Sequence, residues 1–113
     1  MARIVVTGSA SVDQAIILTD LYRKAGLRTA IKFGSLFGLL YDRLADHPLS
    51  GPRRPALGPN VRIGIVSPYI VIYEHSENDD AVTILRVIHG RREITSKLLS
   101  AAATAPPDNN QTR

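Results

Sequence analysis

At 113 residues, with 44% hydrophobic and 21% charged side chains, the chain has the length for one domain with its own core and the composition of an ordinary globular protein. It contains no cysteine, which excludes disulfide staples, thiolate catalysis and cysteine-ligated zinc and fits a reducing compartment. A net charge of +4 favours anionic partners such as RNA, DNA or an acidic protein, although solubility alone accounts for a charge of this size equally well.

The first predicted element is a strand over Arg3–Thr7, ended by Gly8-Ser9. The N-terminus turns polar by Thr7, so no signal-peptide core forms, and no apolar run approaches the ~18 residues needed to span a bilayer. A cytoplasmic protein without membrane contact is expected. Ser9 or Ser11 can cap a first helix over Val12–Ala25, because a hydroxyl accepts a hydrogen bond from a free first-turn amide. Ala15, Ile16, Thr19 and Tyr22 are spaced for one face of that helix, and Gly26 closes it as a C-cap.

A second helix is predicted over Thr29–Asp46. Phe33, Phe37, Leu40 and Leu44 fall at helical spacing and form a buried stripe. Gly34 and Gly38, one turn apart, would let the first helix approach closely. Two antiparallel helices with a short joint make a hairpin that covers one face of a sheet.

His47–Asn60 carries four prolines and two glycines, so it is read as an ordered loop, with Arg53-Arg54 in its middle. Three runs rich in Ile, Val and Tyr follow at Val61–Val66, Tyr69–Glu74 and Val82–His89. They are divided by Ser67-Pro68 and by the polar run His75–Asp80. Runs this close pair as an antiparallel meander. Simple alternation points Val82, Ile84 and Ile88 one way and Leu85, Val87 and His89 the other, with both sides apolar enough for a central strand. Arg92–Ala103 is read as a short last helix, and Thr104–Arg113 as a disordered tail, which leaves one domain over residues 1–103.

Little in the chain reads as catalytic. No nucleophile–base pair, phosphate-binding loop or metal-ligand spacing is present, so neither cofactor nor metal is expected. His89 stands out among the histidines because Arg86, Arg91 and Arg92 flank it. A neutral histidine beside guanidiniums is a candidate general base on a phosphate-bearing substrate, against the plainer reading that it ties down a strand end.

The order Leu57-Gly58-Pro59-Asn60-Val61-Arg62, then Ser67-Pro68-Tyr69-Ile70-Val71-Ile72, then Leu85-Arg86-Val87-Ile88-His89-Gly90 resembles the RelE/ParE superfamily of toxins from type II toxin–antitoxin pairs. The ParE branch is the most similar, through the run ending in His89-Gly90. The likeness spans Ile4 to Leu99 in element order and is specific over Leu57–Arg92. It implies an α+β fold of order β-α-α-β-β-β, with the helix hairpin packed on a twisted antiparallel sheet and a short C-terminal helix. It leaves the place of the first strand open.

Function follows from the resemblance in three versions. The RelE-type members cleave messenger RNA on the ribosome, and that version would use Arg62, Arg86, His89 and Arg92. However, the strand arginine and closing tyrosine typical of those enzymes fall here at Ile65 and near Leu98. The ParE-type version is therefore favoured: a non-catalytic, plasmid-stabilising toxin that inhibits DNA gyrase and is neutralised by a ParD-like or other antitoxin in a hetero-oligomer. A third version is an inactive homologue that only binds antitoxin. The resemblance places target contacts at Arg86, His89, Arg91, Arg92 and Lys97. An amphipathic, often acidic antitoxin segment would dock on Leu18, Leu21 and Tyr41, rimmed by Arg23, Arg28 and Arg43. Direct nucleic-acid binding stays open.

Overall fold

A computed structural model describes residues 1–91. Its elements are β1 (Arg3–Val6), α1 (Gly8–Ala25), α2 (Leu27–Asp46), β2 (Val61–Val66), β3 (Tyr69–Ser76) and β4 (Ala81–His89). The predicted helix over Arg92–Ala103 and the predicted tail lie outside the described residues.

α1 starts earlier than the serines suggest. Thr7 is its cap: the hydroxyl accepts from the Ala10 amide at 3.1 Å and donates to the Ile84 carbonyl at 2.9 Å. A side chain that bonds both the helix and β4 outcompetes Ser9 and Ser11, which lie inside the first turn. Gly26, with φ of 93°, is the entire joint between the helices, and its amide donates to the Tyr22 carbonyl at 2.9 Å.

The face of α1 grouped by spacing proves to be the outer one. Ile16 and Tyr22 are 63% and 56% exposed, whereas Ala10 is buried and Ile17 and Leu18 pack on the core. Two overlapping apolar stripes run along this helix, and the anchors at Thr7 and Asp13 decide which one turns inward. The α2 stripe is as expected. Phe37, Leu40 and Leu44 are buried, and half-buried Phe33 stands edge-on to Tyr69 at 5.7 Å. The helix glycines do not mediate a close approach: a Cβ on Gly34 would meet only Leu18 Cδ1 at 3.9 Å, and one on Gly38 would meet open space.

The meander pairs antiparallel, β2 with β3 and β3 with β4. The sheet as a whole is mixed, however, because β1 runs parallel to β4, in the order β1-β4-β3-β2. The first strand, whose place the resemblance leaves open, thus lies beside β4 and parallel to it. The Ala2 amide donates to the Ala45 carbonyl at 2.8 Å, so α2 returns the chain to the end where β1 began. β2 then sets off in the direction of β1, and β4, two reversals later, runs the same way. β4 takes the central place that its two apolar sides require.

A bulge at Leu85 alters which side chains share a side. Ile72 pairs with Arg86 and the next residue, Tyr73, with Ile84, which leaves Leu85 unmatched. Beyond it the alternation inverts. Val87 joins Val82 and Ile84 in the core beneath the helices, while Ile88 joins Leu85, Ile63 and Ile72 on the opposite side.

Candidate interaction site

Arg86, a candidate for both toxin activities, is committed inside the fold. Its Nε donates to Asp13 Oδ2 at 2.6 Å and its Nη2 to Asp13 Oδ1 at 3.0 Å, while the Val87 amide donates to the same Oδ2 at 3.0 Å. The two side chains are only 14% and 15% exposed. This bidentate, charge-assisted fork fastens α1 to the bulge of β4. The fork joins residues 73 positions apart, so nothing local in the chain foresees it.

His89 sits at the exposed end of β4, its ring edge-on to Tyr69 at 5.7 Å. Its Nδ1 accepts from the Arg91 amide at 3.1 Å, so the neutral ring carries its proton on Nε2. Arg91 is exposed beside it. Arg92 and Lys97 lie outside the described residues.

Arg62 is not in that neighbourhood. In the sheet register it pairs with Tyr73, whereas His89 pairs with Tyr69. Four residues along β3 and two strand spacings put roughly 13 Å by 10 Å between their positions. Arg62 Nη1 donates to the carbonyls of Gly51 at 2.8 Å and Leu49 at 3.1 Å, and so straps the 47–60 loop to the sheet. The residues a ribonuclease reading would use are therefore dispersed: Arg62 at one end, Arg86 held by Asp13 and His89 at the other end.

The loop has further ties. The buried Tyr73 hydroxyl donates to the Pro48 carbonyl at 2.9 Å and accepts from the Gly51 amide at 3.0 Å, and burial pushes its pKa up. Gly51 is required there, because a Cβ would run into the Ile63 carbonyl oxygen and the Tyr73 hydroxyl.

On the helix hairpin, the apolar docking candidates are largely used in packing. Leu18 and Tyr41 lie against the core, and Leu21 is half-buried. The Tyr41 hydroxyl donates to Gln14 Oε1 at 2.6 Å, and burial raises its pKa to about 12. Arg23, Arg28 and Arg43 are exposed as the docking reading requires. The apolar surface left open lies elsewhere. One patch is the outer face of α1, where Val12, Ala15 and Ile16 lead to Asp20 and Arg23. Another is a groove of about 390 Å³ between α2 and the edge strand β2, lined by Leu36, Leu39, Leu40, Arg43 and Ile65. Leu39 is 64% exposed and Ile65 52%. Spacing alone signals Leu36 and Leu39, but nothing local reveals that Ile65 lies beside them.

The sequence profile of the family described as the ParE toxin of a type II toxin–antitoxin system, parDE, matches residues 4–94. The chain belongs to the ParE toxin family. Among solved structures it is similar to one described as the chromosomal ParDE TA system from P. aeruginosa, at 21% identity and a TM-score of 0.66. The match covers 79% of this chain and 96% of that one, and at this identity it establishes the α+β fold. No curated protein matches the chain. Among the described residues, no helix is long and apolar enough to cross a membrane.

Proposed function

We propose that this ParE-family toxin acts by binding DNA gyrase, not by cutting RNA, and that a ParD-like antitoxin silences it in a cytoplasmic hetero-oligomer. The observation that carries the first half is the dispersal of Arg62, Arg86 and His89. Ribonuclease chemistry needs cations and a base converging on one phosphate, and these three do not converge. His89 and Arg91 at the open end of β4 are the described candidates for target contact; of the others predicted from sequence, Arg86 is held by Asp13, and Arg92 and Lys97 lie outside the described residues.

The second half rests on the apolar groove at Leu36, Leu39 and Ile65, with Arg43 on its rim. An amphipathic acidic segment that folds on binding fits an apolar groove rimmed with positive charge. Arg23 and Arg28 extend that charge towards the hairpin tip.

Purified toxin assayed for gyrase-dependent DNA supercoiling and for ribosome-dependent messenger cleavage tests the reading. Loss of supercoiling with intact messenger is expected, together with recovery on adding antitoxin. Messenger cleavage that disappears in His89→Ala would replace it with the ribonuclease.

A further inference from the structure

A second site, separate from the toxin surfaces, lies at the far end of the sheet. The loop residue Arg53 forms an antiparallel bridge with Arg62 on β2, which puts two guanidinium-bearing residues directly opposite each other. Like charges in that relation repel. Both side chains are nonetheless held. Arg53 Nη2 donates to the Pro59 carbonyl at 3.1 Å, and Arg62 Nη1 donates to Leu49 and Gly51. Among the described residues neither guanidinium forms an ion pair with a carboxylate.

These arginines line an open cleft of about 580 Å³ together with Glu74, His75, Ser76, Glu77 and Asn78. The volume suits a small organic ligand, for which sites of about 300–1,000 Å³ are usual. Each guanidinium has N–H groups left over after its carbonyl bonds, and a tetrahedral anion accepts such groups in pairs. The carboxylates of Glu74 and Glu77 in the same cleft would accept hydrogen bonds from hydroxyl or amino groups and would repel a long polyanion. The guanidiniums thus select a phosphate and the carboxylates select donors on the group attached to it.

We propose that this cleft binds a small phosphate monoester bearing hydrogen-bond donors, of which a nucleoside monophosphate is the representative class. It is not part of the gyrase or antitoxin reading and does not depend on it.

The test is thermal unfolding of the full chain with adenosine monophosphate, inorganic phosphate or adenosine, each at ionic strength matched with potassium chloride. A ligand of the folded state alone raises Tm saturably. The monophosphate should do so most, inorganic phosphate less and adenosine least. In Arg53→Gln the affinity should fall by about tenfold or more, the loss of one charge-assisted bond. Arg62→Lys, which keeps the charge and removes the fork, should weaken binding in the same sense. Amide shifts on titration should centre on Arg53, Arg62 and Asn78, which reports the site even if a variant folds poorly. A rise in Tm that potassium chloride alone reproduces would overturn the proposal. So would affinity unchanged in Arg53→Gln, no gain from the nucleoside over inorganic phosphate, or preferential binding of single-stranded DNA.

Discussion

Asp13 on α1 holds the Arg86 guanidinium through both carboxylate oxygens and the Val87 amide through one of them. One carboxylate therefore sets the rotation of α1 and stabilises the bulge that decides which side Val87 and Ile88 occupy. Removing it strands a guanidinium and an amide in a nearly buried position. Asp13→Ala should cost about 2–4 kcal/mol, somewhat below the range for fully buried pairs because both side chains keep slight solvent contact. Urea unfolding of Asp13→Ala, Arg86→Ala and the double variant should give a coupling of roughly 1–3 kcal/mol. Additive single effects would show that the fork contributes little to stability.

The tyrosines make stability sensitive to alkali. Burial raises the Tyr41 pKa to about 12, so between the ordinary value near 10 and that value the folded state binds more protons than the unfolded one. Its contribution is complete below pH ~10 and is lost as pH rises through ~12, about 1–2 kcal/mol for a hydroxyl that keeps some solvent contact. The raised Tyr73 pKa acts in the same sense. Circular dichroism of chemical unfolding at stepped pH should show the decline, and Tyr41→Phe should flatten it.

Two glycine substitutions should differ in sign. Gly51→Ala would drive a Cβ into the Ile63 carbonyl oxygen and the Tyr73 hydroxyl, which breaks the loop anchor and should cost about 2 kcal/mol or more. Gly38→Ala adds a methyl group in open space on a helix and should stabilise by roughly 0.5–1 kcal/mol. Paired thermal melts decide this directly.

The docking groove predicts which charge reversals weaken antitoxin binding. Leu21 is half-buried, so an aspartate there would report on folding as much as on docking. Leu39→Asp with Arg43→Glu alters exposed positions and should lower antitoxin affinity by about thirtyfold or more, chiefly from the lost groove anchor at Leu39, with the rim charge of Arg43 adding less. Calorimetric titration with the antitoxin measures it, with the fold checked by circular dichroism. Unchanged affinity would move docking to the outer face of α1 at Val12 and Ile16.

The chain by itself determined the element order, the two helices, the antiparallel meander, the α2 stripe at Phe37, Leu40 and Leu44, and the central character of β4. These follow from periodicities of 3.6 and 2 and from Gly and Pro punctuation, all of which are local. Only the tertiary structure decided the rest. Thr7 caps α1 because Ile84 is within reach, and α1 turns Ile17 inward and Ile16 outward because Asp13 meets Arg86. Val87 and Ile88 exchange sides because Leu85 has no partner across the strand. Arg62 and His89, both plausible cations or bases when read along the chain, end at opposite ends of the sheet. In each case the deciding contact joins residues dozens of positions apart or depends on a strand's partner. No local pattern carries that information, because the energy that selects it exists only after both pieces have met.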